Sequence, residues 1–401
     1  MERRSAATTQ DEVRRHNVST LLRHVHVSGD LSRAELTSLM GLNRSTIKAL
    51  VTELGDAGLV TEQIPETRFG AGRPSHVVVP RADAAYVLAA NLGVDGVSAA
   101  AVGLGGRILA RKEYRLSGVG SKPALVVGRL ATELRKLVGQ VPDGRLVGIG
   151  VGVPGTVRRS DGFVEQAPNM EWFGVPVAAL VGERLGYGVP VRVGNDGDLG
   201  ALAEHVRGAG RGCDNMIYIA GEVGVGGGLI VDGRTLQGAG GYAGEIGHML
   251  VNPDGHRCRC GSTGCLETEA GEQALLREAG EPIDGGRPAA RRVLERARGG
   301  DPVAQAAVDR VATWLGRGIA SLINVFNPEV VIMGGPQSRV FALAEGVVRA
   351  TIEQHAMSPA RQQVRVVRPG LGGDSSLLGA AELAFEPLLA DPVDIWWARI
   401  G

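Results

Sequence analysis

Four residues in one short stretch have the types and spacing to hold a metal ion: His248, Cys258, Cys260 and Cys265. Zinc in a structural role takes thiolate and imidazole ligands in a closed tetrahedron. Cys258, Cys260 and Cys265 supply three thiolates from one tight loop, and His248, ten residues upstream, supplies the fourth ligand. Gly255, Gly261 and Gly264 let that loop fold back on itself. The expectation is one structural Zn2+ per chain. A redox disulfide across Cys258-x-Cys260 is the other reading of these thiols, and its one-residue spacing would strain the ring. Glu245 lies one helical turn before His248 and Glu267 two residues after Cys265. A metal here would therefore hold two carboxylates in place and act as the scaffold of a site. Cys213, away from the cluster, reads as an ordinary buried thiol.

A second set of residues suits DNA. Arg44, Ser45, Thr46 and Lys48 gather at the start of a helical stretch whose Ile47, Leu50, Val51 and Leu54 form the core stripe. A recognition helix enters the major groove by its N-terminal end, where hydroxyls and long cations reach phosphates and base edges. Arg73, between Gly72 and Pro74 at the tip of an expected hairpin, is placed to reach a narrow minor groove.

The elements that position these residues are legible. Residues 11–26 carry apolar positions at helical spacing; Ser32 to Glu35 form a capping box for a short helix ending at Gly41; Asn43 caps the third helix. Two short helices across a Gly-containing turn are a helix-turn-helix. The extended runs 58–61 and 76–79 make a hairpin with a basic tip, a wing. Residues 1–81 are thus expected to be a winged helix-turn-helix that binds operator DNA as a dimer reading two half-sites. The other reading is a protein-binding module, because these residues hold 11 Lys/Arg against 9 Asp/Glu. The cations that matter cluster at the third helix and the wing tip, which favours DNA.

After residue 83 the chain alternates apolar strands and helices, an α/β pattern. Runs 86–93, 97–104 and 107–116 read as three consecutive strands, 122–138 as a helix and 146–153 as a buried strand. A similar pattern returns around residues 215–231, which suggests two similar lobes: 84–200 and 201–385, with a tail at 386–401. Long helices are expected at 303–325 and 377–389, the latter packing back on the first lobe, while Trp396 and Trp397 in the tail carry no clear reading. Asn169 and the Asn195-Asp196 pair stand at strand ends beside Pro or Gly. They are turn formers by default, yet their oxygens accept from vicinal hydroxyls and the amides donate back.

Composition bounds the rest. The 401 residues are enough for two or three domains, and 43 basic residues balance 43 acidic ones, so no general coating of nucleic acid or membrane is indicated. No stretch approaches eighteen uninterrupted apolar residues and the N-terminus lacks an apolar leader, so a cytoplasmic protein without membrane contact is expected.

The run GGYAGEIGHM followed by CRCGSTGCLE resembles the signature of the ROK family, which comprises sugar kinases and sugar-responsive repressors, among them the xylose and N-acetylglucosamine types. The resemblance covers roughly residues 85–385 and implies the duplicated ribonuclease-H-like fold of actin and hexokinase. It implies a structural zinc and a sugar or sugar-phosphate effector held between the lobes by Asn169, Asn195, Asp196, Glu245, His248 and Glu267. A Gly-Arg-Pro wing recurs in the family's repressors, and a homodimer or dimer of dimers is expected. In the family's kinases the residue matching Asp196 is the base, and an Asp-x-Gly-x-Thr turn serves Mg2+ and phosphate. Here that turn is Asn91-Leu92-Gly93-Val94-Asp95, and the second phosphate loop, 221–228, has Glu222 and Val223 where kinases favour Gly and Thr. The implied protein is a sugar-responsive repressor that has lost phosphoryl transfer, with no catalytic residue expected. The alternative is an active ROK kinase with an added DNA-binding arm.

Overall fold

The computed structural model describes residues 10–64, 76–116, 122–141, 143–221 and 223–397. The N-terminal unit comprises α1 (Gln10–Ser28), β1 (Leu31–Ser32), α2 (Arg33–Met40), α3 (Arg44–Asp56), β2 (Val60–Gln63) and β3 (Val77–Pro80). The capping box is formed: Glu35 N–H donates to the Ser32 hydroxyl at 3.2 Å and Ser32 N–H to the Glu35 carboxylate at 2.7 Å. Gly41 closes α2 at φ +65°, and the Asn43 side chain accepts from Thr46 N–H to start α3. Val18, Leu21, Leu22, Leu36, Ile47, Leu50 and Leu54 bury the facing stripes of the three helices. The sheet has the order β1-β3-β2, and the expected hairpin runs lie one or two residues further along the chain. Its tip, with Arg73, lies outside the described residues.

The remainder is a duplicated α/β fold. The first sheet is built from β4 (Ala85–Leu92), β5 (Gly96–Gly103), β6 (Ile108–Arg115), β7 (Arg145–Val153) and β11 (Val191–Asn195), with α4 (Pro123–Val138) and α5 (Val177–Leu185). A small sheet of β8 (Thr156–Arg158), β9 (Phe163–Ala167) and β10 (Trp172–Val175) leans on it, and α6 (Asp196–Arg207) follows β11. The second sheet contains β12 (Met216–Ala220), β13 (Gly226–Val231), β14 (Arg234–Thr235), β15 (Val330–Met333) and β16 (Arg365–Val367). Its helices are α7 (Leu266–Ala270), α8 (Glu272–Glu278), α9 (Gly286–Arg298), α10 (Pro302–Phe326), α11 (Gly335–His355) and α12 (Ser358–Gln363). The chain ends with α13 (Ser375–Ala390) and α14 (Pro392–Trp396).

The strand orders are β11-β7-β4-β5-β6 and β16-β15-β12-β13-β14. In each, three antiparallel strands come first and two parallel strands are added at the inner edge, so the two lobes share one topology. Ala89, Ala100, Val102, Ile217, Ile219 and Val331 give both sheets fully buried centres, as expected of strands covered on both faces.

Helix boundaries correct the domain limits read from sequence. The division at 200/201 falls inside α6, and that at 385/386 falls inside α13, which runs on to Ala390. Apolar periodicity continues smoothly through both points, and only the packing shows that α6 serves the second sheet, whereas α13 packs on the first lobe as expected. Helix α13 returns to the first lobe, where a Cβ at Gly150 would sit 1.9 Å from the Ala380 carbonyl. The tail is a strap between domains. The Trp396 indole N–H donates to the Ala57 carbonyl at the end of α3, and the Arg145 guanidinium lies over the Trp396 ring while donating to the carbonyls of Ile395 and Trp396.

Candidate functional site

The loop after β14 folds through local backbone pairing. Cys258 N–H donates to Ser262 O at 2.8 Å, Gly264 N–H to His256 O at 2.9 Å and Leu266 N–H to Met249 O at 2.9 Å. Gly264, at φ +70°, passes so close to Asn252 that a Cβ would lie 1.6 Å from its carbonyl oxygen. The buried Glu269 carboxylate braces the loop by accepting from His256 N–H and the Asn252 amide.

This fold brings the four expected metal ligands together, with all ligand atoms within 4.8 Å of one another. Cys258 Sγ and His248 Nδ1 are 3.6 Å apart, and Cys260 Sγ and Cys265 Sγ 3.7 Å. A zinc tetrahedron with bonds of about 2.3 Å to sulfur and about 2.0 Å to nitrogen has edges of about 3.8 and 3.5 Å. The donor set fits such an ion. All four cysteines of the chain are free thiols. Burial pushes the Cys258 and Cys265 thiols up, while the Ser262 backbone draws Cys260 down. A cation bound among them would supply the charge that keeps thiolates ionised. Because Nδ1 of His248 faces the cluster, Nε2 is left for another partner.

Beside the cluster, a cavity of about 190 Å³ opens between the lobes, and Asn169, Asn195, Asp196, Glu245, His248 and Glu267 all line it. Their roles differ in detail. The Asn195 side chain is held by its own turn: Oδ1 accepts from Gly197 and Asp198 N–H, and Nδ2 donates to Gly155 O. Glu267 faces two ways, with Oε1 2.9 Å from Cys258 Sγ and Oε2 against Gly224. Burial raises the Glu245 carboxyl; Glu267 adds to the effect and His248 opposes it.

Residues not singled out from sequence complete the site. Arg257 and Arg259, flanking Cys258, reach the cavity from the zinc-type loop, and Arg259 Nη1 donates to Asn169 Oδ1 across the two lobes at 2.9 Å. Their position beside the cysteines was the available signal. Asp198 lies behind Glu245 and is pushed up to about 7 by burial, then by the charge of Glu245, with Arg159 opposing. Its Oδ1 has no hydrogen-bond partner among the described residues. No sequence pattern marks it, since its burial comes from the second sheet packing over α6.

A larger cavity of about 420 Å³ adjoins the first, and Asp196, Ala220 and Gly221 line both. Asn91, Arg287, Arg291 and Gln337 also line it. Asp95, in the turn after β4, lies 3.4 Å from Arg287 on α9. The buried Gln337 side chain accepts from Gly221 N–H and donates to Gly224 O, both at 3.2 Å. It thereby ties Gly221 and Gly224 of the glycine loop to α11. Glu222 lies outside the described residues.

On the N-terminal unit, Arg44, Ser45 and Lys48 are exposed at the start of α3, and Thr46 is half-buried. The Ser45 hydroxyl donates to the Asn43 cap at 2.6 Å, which ties it to the helix start.

The sequence matches the ROK family over residues 87–386. It is 30% identical over 379 residues to the xylose repressor of Caldicellulosiruptor bescii, covering 90% of this chain and 93% of the repressor. It is 35% identical over 255 residues to the glucokinase of Thermotoga maritima, covering 59% of this chain and 79% of that enzyme. The fold superposes on a ROK family transcriptional regulator, a homolog of the E. coli MLC protein, with TM-score 0.77 and 27% identity, covering 94% of this chain and 97% of the regulator. A ROK glucokinase from Streptomyces griseus in complex with glucose and AMPPNP matches with TM-score 0.64 and 30% identity, over 75% of this chain and 99% of the enzyme. The kinase matches cover 59% and 75% of this chain, while the regulator and repressor matches span nearly the whole chain. With its paired sheets, its His/Cys3 loop and its inter-lobe cavity, this chain belongs to the ROK family.

Proposed function

We propose that the protein is a sugar-responsive transcriptional repressor: the winged helix binds operator DNA, and a sugar held between the lobes changes its affinity. The observation that carries this reading is the pairing of a polar inter-lobe cavity, walled by the six expected sugar residues, with a helix-turn-helix docked on the first lobe through α1, α13 and α14. Zinc, held by His248, Cys258, Cys260 and Cys265, keeps the Glu245 and Glu267 side of that cavity in shape. Arg44, Ser45, Thr46 and Lys48 face DNA in this scheme, with Arg73 at the wing. A homodimer gives the two half-site contacts that a modest single module needs.

Loss of phosphoryl transfer is supported by the phosphate side of the cleft. Asn91 stands where a carboxylate would serve Mg2+, Asp95 adds negative charge, and Gln337 uses a loop amide that a phosphate would need. In the competing kinase reading, Asp196 is the base.

Titration of the purified protein with D-xylose, D-glucose and N-acetylglucosamine, followed by an ATP-turnover assay with each, tests both readings. We expect saturable binding of at least one sugar without ADP release. Turnover at kinase rates would establish the alternative, and absence of binding by all three sugars would remove the sensor reading.

A further inference from the structure

The three-residue node His26, Arg207 and Glu382 is buried where three bodies meet. His26 is on α1 of the winged helix, Arg207 closes the C-terminal end of α6, and Glu382 is in the middle of α13. His26 is 0% exposed, Glu382 6% and the Arg207 side chain 12%. Gly105 N–H donates to His26 Nδ1 at 3.0 Å, and His26 Nε2 lies 3.0 Å from Glu382 Oε2 and 2.7 Å from Arg207 Nη2. Arg207 Nε donates to Glu382 Oε1 at 2.6 Å, and its Nη1 donates to the carbonyls of Gly105 at 2.9 Å and His26 at 3.1 Å. Burial would raise the Glu382 carboxyl, but His26 and Arg207 outweigh it and hold the group at about 2.

The two helices that carry Arg207 and Glu382 belong to different lobes by their packing. Helix α6 is pressed into the second sheet: a Cβ at Gly200 would lie 2.2 Å from the Tyr218 ring, and one at Gly197 would lie 2.6 Å from the Gly227 carbonyl. Helix α13 is pressed into the first sheet in the same way, at Gly148 and Gly150. The helices touch each other at Gly379, where a Cβ would lie 1.8 Å from the Leu199 carbonyl. Such backbone contacts leave little side-chain slack, so a change of angle between the lobes must appear as a shift of α6 against α13.

Both helices begin at the cavity. Asp196 is the first residue of α6, and the Ser376 hydroxyl at the start of α13 donates to its carbonyl at 2.8 Å. Twelve residues of α helix span about 18 Å, so α6 is a short rod with the candidate sugar residues at one end and Arg207 at the other. Further along, α13 meets α1 again, where the Ser19 hydroxyl donates to Leu389 O at 2.7 Å.

We propose that the His26, Arg207 and Glu382 node is the coupling joint of the molecule: lobe closure on a sugar moves α6 against α13, and the node passes that movement to α1 and so to the DNA-binding unit. The three are positioning residues, since none reaches the sugar cavity. A buried hydrogen-bonded network has discrete arrangements and does not yield gradually, which suits a two-state joint. The proposal rests on the sugar-sensor reading above.

Hydrogen–deuterium exchange on the full chain, with and without saturating D-xylose, D-glucose or N-acetylglucosamine, tests it in wild type, His26→Leu and His26→Gln. His26→Leu leaves the Arg207 and Glu382 charges paired, and His26→Gln restores a donor toward Glu382. In wild type, sugar should change exchange both around the cavity and along α1. In His26→Leu the cavity should still respond while the α1 response is lost, and the sugar Kd should shift by about 5-fold or more, the low end of ordinary couplings, because lobe closure no longer has to displace α1. His26→Gln should recover part of both. If His26→Leu does not fold, the double variant Arg207→Met with Glu382→Met, which exchanges a buried charge pair for apolar volume, is read in the same way. An unaltered α1 response and Kd in a folded variant would overturn the joint, as would a wild-type α1 that ignores a sugar to which the cavity responds. A cavity that responds to none of the three sugars would overturn the joint together with the sensor reading beneath it.

Discussion

Single residues decide whether the loop from Gly255 to Glu269 is a site or an irregular surface. The sulfur and nitrogen positions already have tetrahedral edge lengths, so loss of one ligand should release the metal. Cys260→Ser is expected to drop zinc content well below one per chain and to lower the melting temperature; unchanged zinc and unchanged melting would refute the metal assignment. Asp198 offers a separate test because its carboxyl is raised from 3.8 to about 7 by burial first and Glu245 second. A raised acid contributes its stability fully below the ordinary value and loses it as pH climbs through the folded value. The loss between about pH 4 and 8 is at most on the order of 4 kcal/mol at 1.36 kcal/mol per unit. Asp198→Asn should therefore be close to wild type near pH 4 and progressively more stable than wild type as pH rises to 8, in melts run across that range. A difference that does not vary with pH would show that Asp198 is ionised in the fold.

At the scale of elements, the winged helix was largely legible. The capping box at Ser32 and Glu35, the αL glycine at position 41 and the Asn43 cap all formed where the residues indicated, because each depends on partners within four positions. Helix α13 was legible as a helix that returns to the first lobe, as it does at Gly148 and Gly150, but its seat on α6 was not. Its contact through Gly379 depends on α6 lying against it, and Gly379→Ala must push a methyl group into the Leu199 backbone. We expect a cost of about 1–3 kcal/mol, the usual range for overpacking, read by urea unfolding. Gly346, with open space around its Cβ position, provides the control and should tolerate Ala. Equal effects at the two sites would refute the close seating of α13 on α6.

For the whole molecule, DNA affinity should depend on salt through the phosphate contacts of α3. The slope of log K against log salt is about −0.9 for each phosphate neutralised. Lys48→Ala should weaken binding to every duplex alike and reduce the slope by about one contact, whereas Arg44→Ala should relax preference at one base position if it reads a base. Gel-shift titrations at several salt concentrations check this, and a Lys48→Ala protein with an unchanged slope would place the DNA surface elsewhere. Among the described residues no helix is long and apolar enough to cross a membrane.

The sequence by itself determined the His/Cys3 cluster, the helix caps, the repeated strand pattern and the family resemblance, because these are written in residue type and in spacing over a few positions. Tertiary structure decided the rest. Glu382 and His26 meet across 356 positions, Arg259 and Asn169 across 90, and Gln337 and Gly221 across 116. No local period encodes such encounters, since they follow from how two five-stranded sheets stack against α6 and α13. The same stacking buried Asp198, and it made Trp396, opaque as sequence, the strap that ties α3 to the first lobe. Burial is a property of the assembled layers, so the groups whose chemistry it alters most become visible only when those layers are in place.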